Sequence, residues 1–149
     1  MIDFAIIALP RSGTAWAANF LTTDASVCIH DPMATMQLDD MENIGGGVAC
    51  TALWTEPEFV YINIKRWIIL ERNISEVNQF AFDAGYQPFT PCAIDKFQSL
   101  RGPRMPWTAL FDECSARDIF EYLKPAEKFN VARHAILRDM KVETVKSYV

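Results

Sequence analysis

The segment Ile2–Leu9 constrains the fold more than any other. It is a nearly continuous apolar run, broken by Pro10-Arg11-Ser12-Gly13-Thr14, after which Trp16, Ala17, Phe20 and Leu21 recur at helical spacing. A run this short and this apolar reads as a strand covered on both faces, as in the middle of a parallel sheet. The turn then leads into a helix over Thr14–Leu21 whose few polar positions predict that it is buried. Arg11 is the only Lys or Arg in the first 64 residues, a stretch that carries Asp3, Asp24, Asp31, Asp39, Asp40, Glu42, Glu56 and Glu58. A helix N-terminus has backbone N–H groups without intrahelical partners and a positive dipole end, so a lone cation there marks a place for an anion.

The rest of the chain alternates in the same way. Ala25–Ile29 reads as a second strand, closed by His30-Asp31-Pro32 because proline cannot donate to a sheet ladder and restricts the residue before it. Met33–Met41 reads as a short helix, Gly45-Gly46-Gly47 as a flexible turn and Val48–Leu53 as a third strand. Phe59–Ile64 reads as a fourth strand ending at Lys65-Arg66, rich in β-branched and aromatic residues. From Trp67 to Ala84 the apolar positions Ile69, Leu70, Ile74, Val77, Phe80, Ala81 and Ala84 predict one long amphipathic helix stopped by Gly85. Tyr86–Trp107, with Pro88, Pro91, Pro103 and Pro106, reads as irregular apart from a short helix around Ala93–Leu100. Ser115 and Asn130 read as caps of two further helices.

This pattern predicts an α/β fold: a P-loop-type parallel sheet of about four to five strands flanked by helices, with a helical C-terminal third. A chain of 149 residues, half of them hydrophobic, suffices for one domain over residues 1–149 with a real core. The net charge of −5 argues against a nucleic-acid or membrane-surface partner, which would reward a broad basic face. The N-terminus lacks the basic start of a signal peptide and its apolar run is too short to span a bilayer, so a cytoplasmic location is expected. Cys28, Cys50, Cys92 and Cys114 form no C-x-x-C pair; four reduced thiols are expected and no metal site.

In parallel α/β folds ligands sit beyond the carboxyl ends of the strands. That rule gathers Pro10–Thr14, His30, Asp31, Lys65 and Arg66 on one rim. The loop is not a Walker A sequence, which requires a lysine directly before the hydroxyl residue and an earlier glycine, so ATP with magnesium is disfavoured. Oxyanion oxygens suit its N–H groups, with Arg11 adding charge-assisted bonds and Ser12 and Thr14 adding hydroxyl donors.

Leu9-Pro10-Arg11-Ser12-Gly13-Thr14-Ala15-Trp16 resembles the 5'-phosphosulfate loop of sulfotransferases that use 3'-phosphoadenosine 5'-phosphosulfate (PAPS), in particular their small bacterial and phage-type members. The resemblance implies that Pro10, Arg11, Ser12, Gly13, Thr14, Ala15 and Trp16 surround the donor, with Arg11 and Thr14 serving the leaving phosphate. It also implies a strand-end arginine and a serine about two helical turns on for the 3'-phosphate, which Arg66 and Ser75 resemble, with Lys65 as a register alternative and Arg72 as a further contributor. His30-Asp31-Pro32 is similar to the family's triplet after the second strand, which makes His30 or Asp31 the base. Phe111-Asp112, the helix from Ser115 to Leu123, Phe129-Asn130 and Arg133–Met140 extend the likeness over most of the chain. Two features depart from it: Ala15 stands where a second threonine is usual, and no G-x-x-G-x-x-K segment is present.

The implied reaction moves a sulfuryl group from PAPS to a hydroxyl or amine of a small molecule or glycan, releasing 3',5'-bisphosphoadenosine (PAP) and needing no metal. Two other readings stand beside it: a catalytically degenerate domain acting as a nucleotide-binding or interaction module, and, more distantly, a nucleotide kinase. Phe82, Tyr86, Phe89 and Trp107 suit an acceptor pocket, a partner surface or the core.

Overall fold

The structure, a computed structural model, describes residues 1–43, 45–56 and 63–140. Five strands, β1 (Ile2–Ala8), β2 (Cys28–His30), β3 (Gly47–Cys50), β4 (Ile64–Glu71) and β5 (Arg104–Pro106), form one sheet in the order β2-β3-β1-β4-β5. Every neighbouring pair is parallel. The helices are α1 (Thr14–Leu21), α2 (Leu38–Met41), α3 (Ile74–Asp83), α4 (Pro91–Ser99), α5 (Glu113–Leu123) and α6 (Val131–Asp139). No described helix is long and apolar enough to cross a membrane.

β1 takes the central place that its composition demands, with Ile6 opposite Ala49 on one side and Ile68 on the other. Its alternation divides the core. Phe4, Ile6 and Ala8 lie in a cluster with Phe20 and Leu21 of α1 and with Ile119, Phe120 and Leu123 of α5. Ala5, Ile7 and Leu9 lie in a second cluster with Trp54, Val77 of α3 and Phe97 of α4. Helices therefore cover both faces, as parallel connections require. Two tryptophans tie the layers by their indole N–H groups: Trp54 donates to the Ala8 carbonyl at 3.2 Å and Trp16 to the Leu137 carbonyl at 2.9 Å.

Several sequence expectations change. The glycine run is not simply a turn, because Gly47 opens β3 opposite Phe4, and a Cβ there would lie 1.9 Å from the Phe4 ring. The fourth strand expected at Phe59–Ile64 lies, for 59–62, outside the described residues. The strand seen runs over Ile64–Glu71, and the helix expected from Trp67 starts only at Ile74. Trp67–Leu70 misled because a short apolar run has no periodicity that separates buried strand from buried helix. Asn73 supplies the true helix start, its side chain accepting from the Ser75 and Glu76 amides at 2.9 and 3.4 Å.

Smaller shifts follow the same logic of caps and pairing. The helix expected at 33–41 is a 3-10 turn at Pro32–Ala34 and the single turn α2. The proline-rich segment contains β5, which pairs Met105 with Leu70, and α4 begins at Pro91 behind the Thr90 cap. The α5 cap is Asp112 rather than Ser115, with its carboxylate accepting the Ser115 amide and hydroxyl at 2.9 and 2.8 Å. Asn130 caps α6 as expected, accepting from the Arg133 amide at 2.9 Å.

Candidate functional site

The loops leaving β1, β2 and β3 meet at the carboxyl rim of the sheet. β1 hands the chain to Pro10–Gly13, and Gly13, with φ 79°, is the N-cap of α1 with no side-chain cap bond. The helix thus presents its first N–H groups without a side-chain acceptor. Gly13 packs beneath Leu110, Trp107 and Phe111, and its left-handed backbone suits only glycine at no steric cost. Ser12 is fully buried, and its hydroxyl is the one buried side-chain polar atom without a hydrogen-bond partner among the described residues. Such an orphan costs roughly 1–3 kcal/mol and calls for an explanation.

His30 ends β2 within reach of this loop: its Nε2 lies 3.1 Å from Thr14 Oγ1 and 3.0 Å from Asp31 Oδ2. Asp31 Oδ1 in turn accepts from the Thr51 amide at 2.6 Å and the Thr51 hydroxyl at 3.1 Å. Thr14, His30, Asp31 and Thr51 therefore form one chain of polar contacts across the ends of three strands. Burial pushes the Asp31 carboxyl up, but hydrogen bonds from His30 and Thr51 outweigh it and hold Asp31 below the ordinary carboxylate range. On β3, burial raises the Cys50 thiol to about 11, and on β2 burial raises Cys28 to about 12, so neither is a thiolate nucleophile at neutral pH.

The two non-glycine residues with positive φ among those described, Arg11 at 67° and Asp31 at 40°, both sit here. Each such residue stores on the order of 1–3 kcal/mol that its surroundings must offset. For Arg11 the restraint is visible: the Arg72 guanidinium, leaving the end of β4, donates to the Arg11 carbonyl. Arg72 is only 14% exposed, binds Glu76 Oε2 at 3.2 Å, and lies between the Trp107 and Phe80 rings at 4.4 and 5.0 Å from their centroids. The Arg11 guanidinium rests on the same Phe80 ring at 5.2 Å.

The structure thus brings Pro10, Arg11, Ser12, Gly13, Thr14, His30 and Asp31 together, and it corrects the placing of Lys65 and Arg66. Lys65 and Arg66 are not on the rim, because β4 begins at Ile64: Arg66 pairs with Phe4 early in the strand, and Lys65 binds Asp3. Arg72 directly follows β4, and at the spacing of Arg66 to Ser75 it is followed by Ala81 rather than a serine. Ser75, on the first turn of α3, lines an open depression of about 320 Å³ together with Leu9, Arg72 and Phe97. Trp16 is committed to packing, stacked on Phe20 at 5.1 Å, and Ala15 is exposed. Arg72 was expected from the sequence as a further contributor, but Thr51 and Phe80 were not picked out; a hydroxyl just past a strand is too common a signal to find Thr51.

A larger cavity, about 550 Å³, lies at the far end of α1, lined by Thr22, Thr23, Asn130, Arg133 and His134. Two cations there are already spent on the helix C-terminus, Lys124 donating to the Leu21 carbonyl at 2.8 Å and Arg133 to the Phe20 carbonyl at 2.7 Å, while Lys128 also lines the cavity. The rim around the loop from Arg11 to Thr14 is where strained backbone, an orphan hydroxyl and a polar relay coincide. Comparison of the chain with protein-family models, curated proteins and solved structures returned no match, so the reading of this site rests on its geometry and its sequence.

Proposed function

We propose that the rim binds the phosphosulfate end of PAPS and transfers its sulfuryl group to a hydroxyl or amine, with His30 as the base. The observation that carries this reading is the 3.1 Å contact between Thr14 Oγ1 and His30 Nε2, which sets the imidazole ring beside the anion loop. In the proposed step the acceptor's proton passes to His30 as its oxygen or nitrogen bonds to sulfur. The bond from sulfur to the bridging oxygen breaks, and its electron pair leaves on the 5'-phosphate of PAP. Charge growing on that phosphate is met by the α1 N–H groups, the Thr14 hydroxyl and Arg11. Asp31, held below the usual carboxylate range, is a poor proton acceptor near neutrality, which favours His30 for that role.

The residues fit the two ends of the donor unequally. Ser12 and the uncapped α1 terminus suit the 5' end. At the 3' end only Arg72 and Ser75 border one depression, and Arg72 is already engaged by Glu76, Phe80 and Trp107. That engagement is also what favours the second reading, a binding module that holds an oxyanion without turnover.

Calorimetry with PAP and with ATP plus magnesium, on the parent chain and on Arg11→Ala, tests the first reading. Saturable PAP binding that the substitution abolishes, followed by transfer of label from PAPS to an acceptor library, is expected. Binding without transfer selects the second reading, and stabilisation by neither nucleotide removes the first.

A further inference from the structure

We propose that Thr51 is a positioning residue which, through Asp31, fixes the neutral His30 ring with its proton on Nε2 and leaves Nδ1 to face the acceptor. An ionised carboxylate only accepts hydrogen bonds, so a ring nitrogen 3.0 Å from Asp31 Oδ2 is the one that carries the hydrogen. Thr14 Oγ1, 3.1 Å from the same nitrogen, is then placed as a second acceptor on that N–H. Nδ1 has no hydrogen-bond partner among the described residues, and the side chain is 42% exposed, so the lone pair of the neutral ring is left outside the relay.

Thr51 enters because Asp31 is held from β3. Both Thr51 donors fall on Oδ1, at 2.6 and 3.1 Å, and this saturates one carboxylate oxygen while turning the other toward His30. The left-handed backbone of Asp31, φ 40°, points to the same restraint: a conformation unfavourable for the residue is kept where its carboxylate bridges two strand ends. The only described charged group in direct contact with the ring is Asp31. Cys50, the neighbouring titratable group on β3, is buried and keeps its proton, so it adds no competing charge.

The role of Nδ1 in taking the acceptor's proton rests on the sulfuryl-transfer reading, whereas the tautomer does not. The experiment reads the tautomer directly, by ¹⁵N–¹H correlation of the ring nitrogens in the full chain at mildly alkaline pH, with His30 separated from His134 by His30→Gln. Protonation at Nε2 is expected in the parent and in Thr51→Ser, which keeps the hydroxyl. A mixed population is expected in Thr51→Val and in Asp31→Asn; asparagine tolerates the left-handed backbone and offers Nε2 a competing donor. A parent ring protonated at Nδ1, or an Nε2 preference unmoved in both variants, overturns the proposal. If PAP binds, Thr51→Val should lower kcat about tenfold while KM for the donor holds, and Thr51→Ser should restore it. Loss of donor binding in the parent would remove the sulfuryl-transfer reading and leave the tautomer result standing.

Discussion

Replacing Gly47 by alanine probes how tightly the site is built on the sheet. The new Cβ would stand 1.9 Å from Phe4 Cε2 and 2.3 Å from two further ring atoms, and Phe4 is 2% exposed in the centre of the core. No small rotation clears such an overlap, so the ring or strand β3 has to move, and overpacking of this kind costs about 3 kcal/mol at its upper end. Alanine also returns about 0.5–1 kcal/mol by restricting the unfolded chain, which leaves a net loss of about 2 kcal/mol. With a urea slope of about 2 kcal/mol per molar, the midpoint should fall by about 1 M with the slope unchanged. The cause is isolated by a double-mutant cycle. Phe4→Ala alone should cost about 3–5 kcal/mol, but in that background Gly47→Ala should become neutral or slightly stabilising, a coupling of about 2–3 kcal/mol. Additive losses would refute the reasoning, because they would mean that the glycine is needed for something other than room for the Phe4 ring.

Other consequences are as specific. Arg72→Met removes the donor that holds the Arg11 carbonyl, so affinity for PAP should drop about tenfold with thermal stability nearly kept, as measured by calorimetry and thermal scans. Lys124→Met strands the Leu21 carbonyl and Glu127 around a side chain that is 2% exposed, and should cost about 3 kcal/mol, or roughly 10 °C in Tm. Asp31 has a lowered folded-state pKa, so its contribution to stability is complete above the ordinary carboxylate range and is lost as pH falls through the lower folded value. Urea midpoints measured from pH 6 downward should therefore fall less steeply in Asp31→Asn than in the parent.

The parts of the fold written in local chemistry were legible. The apolar β1, the turn at Gly13 and the Asn130 cap each follow from residues within a few positions of one another. So did the convergence of Thr14 with His30, because all-parallel strands deliver their loops to one edge whatever the sequence distance. What failed was register. Lys65-Arg66 stands before the apolar run Trp67–Leu70, and nothing local says that this run is strand rather than helix; only pairing with Phe4 and Ala8 decides it. Arg72 was consequently read inside a helix, and its hold on Arg11, 61 positions away, was out of sight. Thr51 was missed for a related reason, since its partner is 20 positions away on a neighbouring strand end.

The clamp on the anion loop has a consequence for when the site can exist. The loop follows the first strand, yet its shape depends on Arg72 at the end of β4 and on Trp107, Leu110 and Phe111 lying over Gly13. β1 likewise waits for partners at Gly47–Cys50 and Ile64–Leu70 before either of its edges is paired. Such non-local closures are slow steps in folding. During synthesis the β1–α1 loop is therefore made before the elements that shape it, and takes its final form only after they are made. If the proposed reading holds, PAP added to a nascent chain should bind only once residue 111 has left the ribosome.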